Sequence, residues 1–448
     1  MKNIGIIDLG SNSTRLLIVR LLDHNGFKVI HELKEAVRLG KDMGADGCLN
    51  AARKEVAMKT LQYFISVCET YNTHEIIAVA TAAVRAATDK EAFLEEAKIK
   101  TGLDIRVLSG EEEAFYDYFG IVNSISFTEG LIIDIGGAST EIIYVQDRAF
   151  KECISLPFGA ITLTEKFGLT DDIKEENLAA LRTYLIEQYD ALPWLSQIKD
   201  VVLIGVGGTL RNIGKIDRKL KEYSLDRTHH YKMDTQAVEE ITCMVGSMSL
   251  KQRRKLKGLS KTRADIFVAA CEAVKVLTQY CRIKKLIVSG NGVKEGLLYE
   301  YIQGEKLLVR DVLEFSTDNL MQQYQVDKER TDQIWRRAKY LLDFSKSTYD
   351  KVEDATKILR TAVMLHRIGV QVSCYDFHKH SFYMMLHADL NGLSHREILM
   401  VAYTILYHPK EEFENLFYGY KDLLGEQDIS MTQKLGVILK MAINNVVF

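Results

Sequence analysis

The sequence is poor in the residues that staple or stiffen a chain. Only three prolines occur in 448 residues, Pro157, Pro193 and Pro409, and no low-complexity linker separates one part from the next. Domain boundaries must therefore come from pattern rather than composition. The seven cysteines are odd in number and include no C-x-x-C pair, which argues against a disulfide framework and against a zinc site. A reducing cytoplasm is the expected setting. No run approaches the ~20 apolar residues of a membrane-spanning helix, and the apolar stretch 4–7 is cut at once by Asp8. Neither a membrane partner nor a secretory signal is expected. A net charge of −3 gives no global attraction to nucleic acid, so no sequence-specific nucleic-acid partner is expected and any polyanion site must be local.

What the chain does have is length and a repeat. Its 448 residues suggest roughly three domains, and 47% apolar residues suffice for a large core. The organising stretch is Ile132-Ile133-Asp134-Ile135-Gly136-Gly137-Ala138-Ser139-Thr140-Glu141. Aligning residues 6–19 with 132–145 gives seven identities in fourteen positions. Each copy reads as an apolar strand, a carboxylate, a Gly/Ser turn and a second apolar strand. Glycine lets a backbone approach a ligand closely, and free N–H groups in such a turn form an anion-binding nest. The carboxylate ending each first strand, Asp8 or Asp134, could hold a hydrated cation against that anion. Two such loops facing across a cleft grip a polyanion and its metal from both sides. Two ordinary hairpins in one sheet is the plainer reading, and the repeated Asp with its Gly/Ser/Thr pattern argues against it.

Along the chain, a third strand is expected near 27–30, a turn-rich segment at 38–44, an amphipathic helix over 51–71 and a buried strand over 75–80. Arg85 follows that strand and could bind a phosphate through its planar fork, although as a bare pattern it is more often a surface ion pair. Ser109-Gly110-Glu111-Glu112-Glu113-Ala114 opens a helix. Ser109 and Glu112 make a capping box, and carboxylates in a first turn suit the helix dipole. That accounts for all three glutamates without chemistry; a general base aimed at the cleft accounts for one of them equally well. Further on, strands are expected at 150–156 and 201–204 and helices at 161–167 and 174–189. Gly205-Val206-Gly207-Gly208-Thr209 and Ser289-Gly290-Asn291-Gly292 add two more glycine turns at strand ends. Residues 251–263 carry seven basic and no acidic residues, read first as a solvated face and second as a track for a polyanion. From about 305 onward the periodicity is helical, with hardly a strand signal. Six of the eleven histidines fall there: His366, His378, His380, His387, His395 and His408. Scattered helical histidines rarely converge on a metal, so a structural role is expected.

Read together, Asp8-Leu9-Gly10-Ser11-Asn12-Ser13, the Ser109 to Ala114 motif and the 134–141 motif resemble the Ppx/GppA phosphatases. These are exopolyphosphatases and guanosine pentaphosphate phosphohydrolases. The resemblance covers the whole chain, most strongly residues 1–303. It implies an α/β fold with duplicated actin-like, heat-shock-chaperone-like and sugar-kinase-like (ribonuclease H-like) domains at 1–125 and 126–303, an interdomain cleft, and an all-α HD-like domain at 304–448. It implies Glu113 as the base that activates water, which tips the even reading of the glutamates towards catalysis. Asp134 and Glu141, with Asp8 opposite, would hold magnesium; other divalent cations could replace it, and potassium is an implied activator. Ser11, Asn12, Ser13, Arg85, Gly136, Gly137, Ser139 and Thr140 would cradle terminal phosphates. Gly207, Gly208 and Thr209 match the family's later glycine turn.

Two departures stand out. Ala138 replaces a usual glycine, and Arg367 stands where an HD phosphohydrolase needs an aspartate after His366. The helical region, from His366 through His378 and His380 to Tyr407-His408, is therefore expected to be a wall lengthening a polyphosphate channel and not a second metal catalyst. The sequence stops short of the extra C-terminal domain of the longest members, so very high processivity is not expected. The expected activity is magnesium-dependent removal of terminal orthophosphate from inorganic polyphosphate by a cytoplasmic homodimer. The same chemistry on pppGpp, giving ppGpp, is the first alternative, and a non-hydrolysing alarmone sensor is the second. A sugar or acetate kinase on the same fold lacks support, because the Ser109 to Ala114 motif does not belong to it.

Overall fold

The computed structural model describes residues 2–44, 46–304, 307–345, 352–406 and 418–444. Each half of the repeat opens on a strand with four consecutive buried positions, residues 4–7 in β1 (Asn3–Leu9) and 130–133 in the matching strand Glu129–Ile135. A strand buried on both faces must be covered by other elements on both sides, and this fixes a sheet sandwiched by helices.

The first sheet also holds β2 (Thr14–Leu21), β3 (Phe27–Glu35), β4 (Thr73–Ala80) and β5 (Ile105–Val107), in the order β3-β2-β1-β4-β5. The second sheet contains β6 (Glu129–Ile135), β7 (Thr140–Gln146), β8 (Ala149–Leu156), β9 (Val202–Val206), β10 (Tyr231–Asp234) and β11 (Lys285–Val288). Its order is β10-β11-β9-β6-β7-β8. In each sheet the repeated strand pairs antiparallel with its hairpin partner and parallel with the strand on its other side. The hairpins match residue for residue. Asn3 faces Arg20 and Asp8 faces Arg15 in one; Glu129 faces Gln146 and Asp134 faces Glu141 in the other. The duplication read from the sequence is thus a duplication of pairing register, and the doubled actin-like frame follows from it.

Apolar residues of the first sheet, among them Ile7, Leu16 and Ile18, pack against Leu61 and Phe64 of the helix Ala51–Thr70. Asn50 caps that helix, its side chain accepting from the amides of Ala52 and Arg53. The helix Gly110–Val122 carries Glu113 and lies against Val293–Gln303. A side chain at Gly296 would come within 2.1 Å of the Tyr116 carbonyl, so glycine there sets the helix spacing.

By contacts the chain forms two compact units, Met1–Leu21 with Lys28–Glu222 and Thr228–Leu308, and Leu22–Phe27 with Tyr223–Arg227 and Val309–Phe448. Both sheets belong to the first. From Val312 onward the described residues of the second carry helices and no strand: Val312–Gln323, Lys328–Phe344, Val352–Leu365, Phe377–His387, His395–Leu406 and Glu426–Ile443. They bury Ala338, Leu342, Ile358, Leu359, Leu399 and Leu435 together. Arg227 ties its segment to this unit by donating to the carbonyls of Ala388 and Leu390. His366 is buried with Nδ1 2.7 Å from the Val363 carbonyl, and burial lowers its pKa to about 4. His395 Nδ1 lies 2.9 Å from the Tyr223 hydroxyl, and Arg367 sits over the Phe377 ring at 5.1 Å. Tyr407 and His408 lie outside the described residues.

Several elements depart from expectation. β3 runs on to Glu35. The strands Ile105–Val107 and Tyr231–Asp234 are too short for an alternation signal. The helix Phe267–Tyr280 buries eleven of its fourteen residues, and such an apolar run does not by itself announce a helix in the sequence.

Candidate active site

The two hairpin turns approach each other closely within the first unit. A Cβ built on Gly137 would lie 2.9 Å from Ser11 Cβ and 3.2 Å from the Asn12 amide nitrogen, so only glycine permits this approach. Both turns are braced from behind. The Ser11 hydroxyl accepts from the Ala83 amide (3.0 Å), Gly40 donates to the Ser11 carbonyl (2.9 Å), and Ala160 and Ile161 donate to the carbonyls of Gly136 and Gly137.

The cleft between the turns is lined by Asp8, Ser11, Asn12, Ser13, Glu113, Asp134, Gly136, Gly137, Ser139, Gly207 and Gly208, all candidates from the sequence. Four other candidates are placed differently. Arg85 reaches Glu113, donating to its Oε2 at 2.8 Å and to the Leu108 carbonyl at 2.9 Å. Thr140 spends its hydroxyl on the Phe158 carbonyl, and Thr209 is buried in the first turn of the helix Gly207–Leu220. Glu141, paired across the hairpin with Asp134, takes a hydrogen bond from Ser155 on Oε1 and has Oε2 buried and unpaired.

Gly207 holds Asp134 in place. Its φ of +78° suits glycine, and a Cβ there would fall 2.1 Å from Asp134 Oδ1. The capping box is formed as expected, with Glu112 donating its amide to the Ser109 hydroxyl and accepting from the Ser109 amide. Glu112 is thereby committed to the cap, while Glu113 on the next position turns inward and is 8% exposed.

The charges fall into two groups. Asp8, Glu113, Asp117, Asp134 and Glu141 all have pKa values raised, first by burial. Glu113 is pushed up to about 7 even though Arg85 pulls it down. Opposing them are Arg15, Arg211 and Arg263, which also line the cleft. Crowding by Arg15 lowers Arg211 to about 10, and burial with the same neighbours lowers Arg263 to about 9. Lys34, although its side chain reaches solvent, is pushed down to about 7 by desolvation and then by Arg263, Arg15, Arg211 and Lys215. Arg15 and Arg263 have no side-chain hydrogen-bond partner among the described residues. A cationic wall that depresses its own pKa values is a wall suited to an anion.

The sequence reading missed Asp117, Arg15, Arg211 and Arg263 as cleft residues. Asp117 stands one helical turn after Glu113, a spacing that places both on one face. The basic run 251–263 divides: Arg253 is fully buried, donating to the carbonyls of Ala264 and Thr170, Arg263 faces the cleft, and Lys251, Arg254, Lys255, Lys257 and Lys261 are exposed.

The donor set suits a divalent cation. Asp134 Oδ1 and Glu141 Oε2 are buried acceptors without a protein partner. No three acidic, histidine or cysteine side chains among the described residues form a cage by themselves. Magnesium asks for one or two carboxylates, its own waters and a substrate phosphate, which this arrangement can supply.

Comparisons with known proteins agree with this frame. The profile of the Ppx/GppA phosphatase family matches residues 17–305, and that of its domain III matches residues 312–444. The guanosine-5'-triphosphate,3'-diphosphate pyrophosphatase of Pseudoalteromonas translucida is 27% identical, over 99% of this chain and 87% of its own. Its namesake in Vibrio atlanticus is 27% identical over 87% and 77%. Among solved structures, an exopolyphosphatase from Cytophaga hutchinsonii covers 69% of this chain and 100% of its own at 23% identity, TM-score 0.63, a likeness of fold. The Aquifex aeolicus Ppx/GppA family member covers 68% and 98% at 27% identity, TM-score 0.58. With both of its parts matched, the chain belongs to the Ppx/GppA phosphatase family.

Proposed function

We propose that the protein is a cytoplasmic, divalent-cation-dependent exopolyphosphatase that removes terminal orthophosphate from inorganic polyphosphate. The observation that carries this is Glu113. It is a buried carboxylate held by Arg85 in the same cleft as both Gly/Ser turns and both repeat aspartates. Residues 1–125 and 126–303 supply the two walls of that cleft, and 304–448 form the helical domain.

Breaking a phosphoanhydride needs little covalent help. It needs charge neutralisation, an in-line water and a leaving phosphate held still. Glu113 takes the proton as the water oxygen attacks the terminal phosphorus, and the bridging P–O bond breaks towards the shortened chain. A carboxylate with a pKa near 7 matches that task at neutral pH. Ser11, Asn12, Ser13, Gly136, Gly137 and Ser139 cradle the terminal phosphate, and Arg15, Arg211 and Arg263 meet the charge of the phosphates behind it. Asp134 and Glu141, with Asp8 opposite, would hold magnesium, which when bound offsets the negative charge of the phosphoryl oxygens.

The cleft lining contains no aromatic side chain among the described residues, which favours a ligand without a base. Hydrolysis of pppGpp is the second reading, favoured by the names of the 27% identical relatives. The test is phosphate release with magnesium from long-chain polyphosphate and from pppGpp, side by side, for wild type and Glu113→Gln. Loss of the base is expected to cost about 10²–10⁴-fold on either substrate, and the ratio of the two wild-type rates names the substrate. A variant as active as the wild type would falsify the role of Glu113. Release from neither substrate, with ppGpp still bound, leaves a sensor in place of an enzyme.

A further inference from the structure

Asp117 is an acid that the mechanism above does not use. It is 0% exposed, it lines the cleft, and neither of its oxygens has a hydrogen-bond partner. Four other acids among the described residues are gripped by a charged or hydroxyl partner. Glu272 is gripped by Arg182 and Lys275, Asp217 by Tyr231 and Lys221, Asp428 by Arg396, and Glu113 by Arg85. The charged groups that act on Asp117 most strongly are Asp134, Glu141, Glu113 and Asp8, all of its own sign.

A buried carboxylate without a donor costs several kcal/mol of desolvation. It is retained where something outside the protein completes it. Asp134 Oδ1 lines the same cleft unpaired, and Glu141 Oε2, on the residue opposite Asp134 in the hairpin, is buried without a hydrogen-bond partner. A partner that serves these groups in their ionised form is positive, or presents several O–H donors. A hydrated divalent cation does both, because magnesium keeps most of its waters when one or two carboxylates bind it. Gly292 approaches closely on the same side: a Cβ there would stand 2.9 Å from Asp117 Oδ1.

We propose that Asp117 is a positioning residue of the cation site, its two oxygens taking hydrogen bonds from the water shell of the cation held at Asp134 and Glu141. The assignment rests on the metal-dependent reading above. It makes the cation site of this chain one carboxylate richer than the repeated aspartates and Glu141 provide, with the extra group set one helical turn behind the base. Outer partners of this kind commonly contribute about 10–100-fold in metal affinity.

The test is manganese binding to the full chain without substrate, followed by the electron paramagnetic resonance signal of free manganese, with magnesium as competitor. Asp117→Asn is expected to weaken binding about tenfold with the number of sites unchanged. Asp117→Ala, which removes both acceptors, is expected to weaken it further. Each variant is melted in metal-free buffer, where relief of buried like charge keeps its melting temperature at or above that of the wild type. Two folded variants that bind manganese as the wild type does, while the wild type still releases phosphate, overturn the role of Asp117 alone. A wild type that binds no divalent cation and releases no phosphate overturns the reading of the whole site.

Discussion

Replacing Arg85 by methionine separates two roles for this arginine. The sequence motif suggests that it holds a phosphate; the structure has it holding Glu113 Oε2 at 2.8 Å. Burial raises the Glu113 pKa and Arg85 lowers it, with a net value of about 7. The positive charge of Arg85 holds this carboxylate down, so Arg85→Met should leave Glu113 titrating higher still. Catalysis by a base follows its ionised fraction. The rate rises with pH and levels off above the pKa, so the acid limb moves to higher pH in the variant. At pH 7 the loss should be about 5–500-fold, shrinking as the pH is raised. The assay is kcat/KM for phosphate release from pH 5 to 10 at one saturating magnesium concentration, with Arg85→Lys as the charge-conserving control. An acid limb that stays in place, with an equal loss at every pH, refutes the reasoning and returns Arg85 to the phosphate.

Gly207→Ala forces a side chain into the left-handed region and towards Asp134 Oδ1. It should cost about 1–3 kcal/mol in urea unfolding and weaken magnesium binding. Ser109→Ala removes the acceptor for the Glu112 amide and should cost about 1 kcal/mol, read as a lower urea midpoint. The five cleft carboxylates hold protons in the folded state that they lose when unfolded, because their pKa values are raised. Their contribution to stability therefore falls as pH rises from the ordinary carboxylate range through the Glu113 value of about 7. His366, lowered to about 4, acts in the opposite sense, but equally with and without metal. The gap in melting temperature between magnesium and chelator should accordingly widen from pH 5 to 8; a gap that narrows over that interval contradicts the assignment.

The doubled frame was legible because a pairing register leaves an identical trace in sequence. Asp8 and Asp134, with the turns that follow them, occupy equivalent places in two hairpins, and alignment alone finds them. Glu113 was half legible. The capping box explains Glu112 fully, but which neighbour turns inward depends on the packing of Gly110–Val122 against Val293–Gln303. Asp117 was hidden by its surroundings, since an aspartate among Phe115, Tyr116, Tyr118 and Phe119 reads as the polar side of an aromatic helix. Arg15, Arg211 and Arg263 come from three distant segments, and only the fold brings them to one wall. Thr140 shows the converse, a motif residue whose hydroxyl is already bound to the Phe158 carbonyl.

The matched hairpins differ at one telling place. Opposite Asp8 stands Arg15, and at the equivalent place opposite Asp134 stands Glu141. One copied unit thus carries a plus where its twin carries a minus, so the frame is nearly symmetrical and its field is not. On the proposed reading the ligand is a linear polyphosphate, whose two ends are identical, so any direction along the groove would come from the protein and not from the ligand. Copying a hairpin and inverting a single charge gives a nearly symmetrical frame an electrostatic direction of its own.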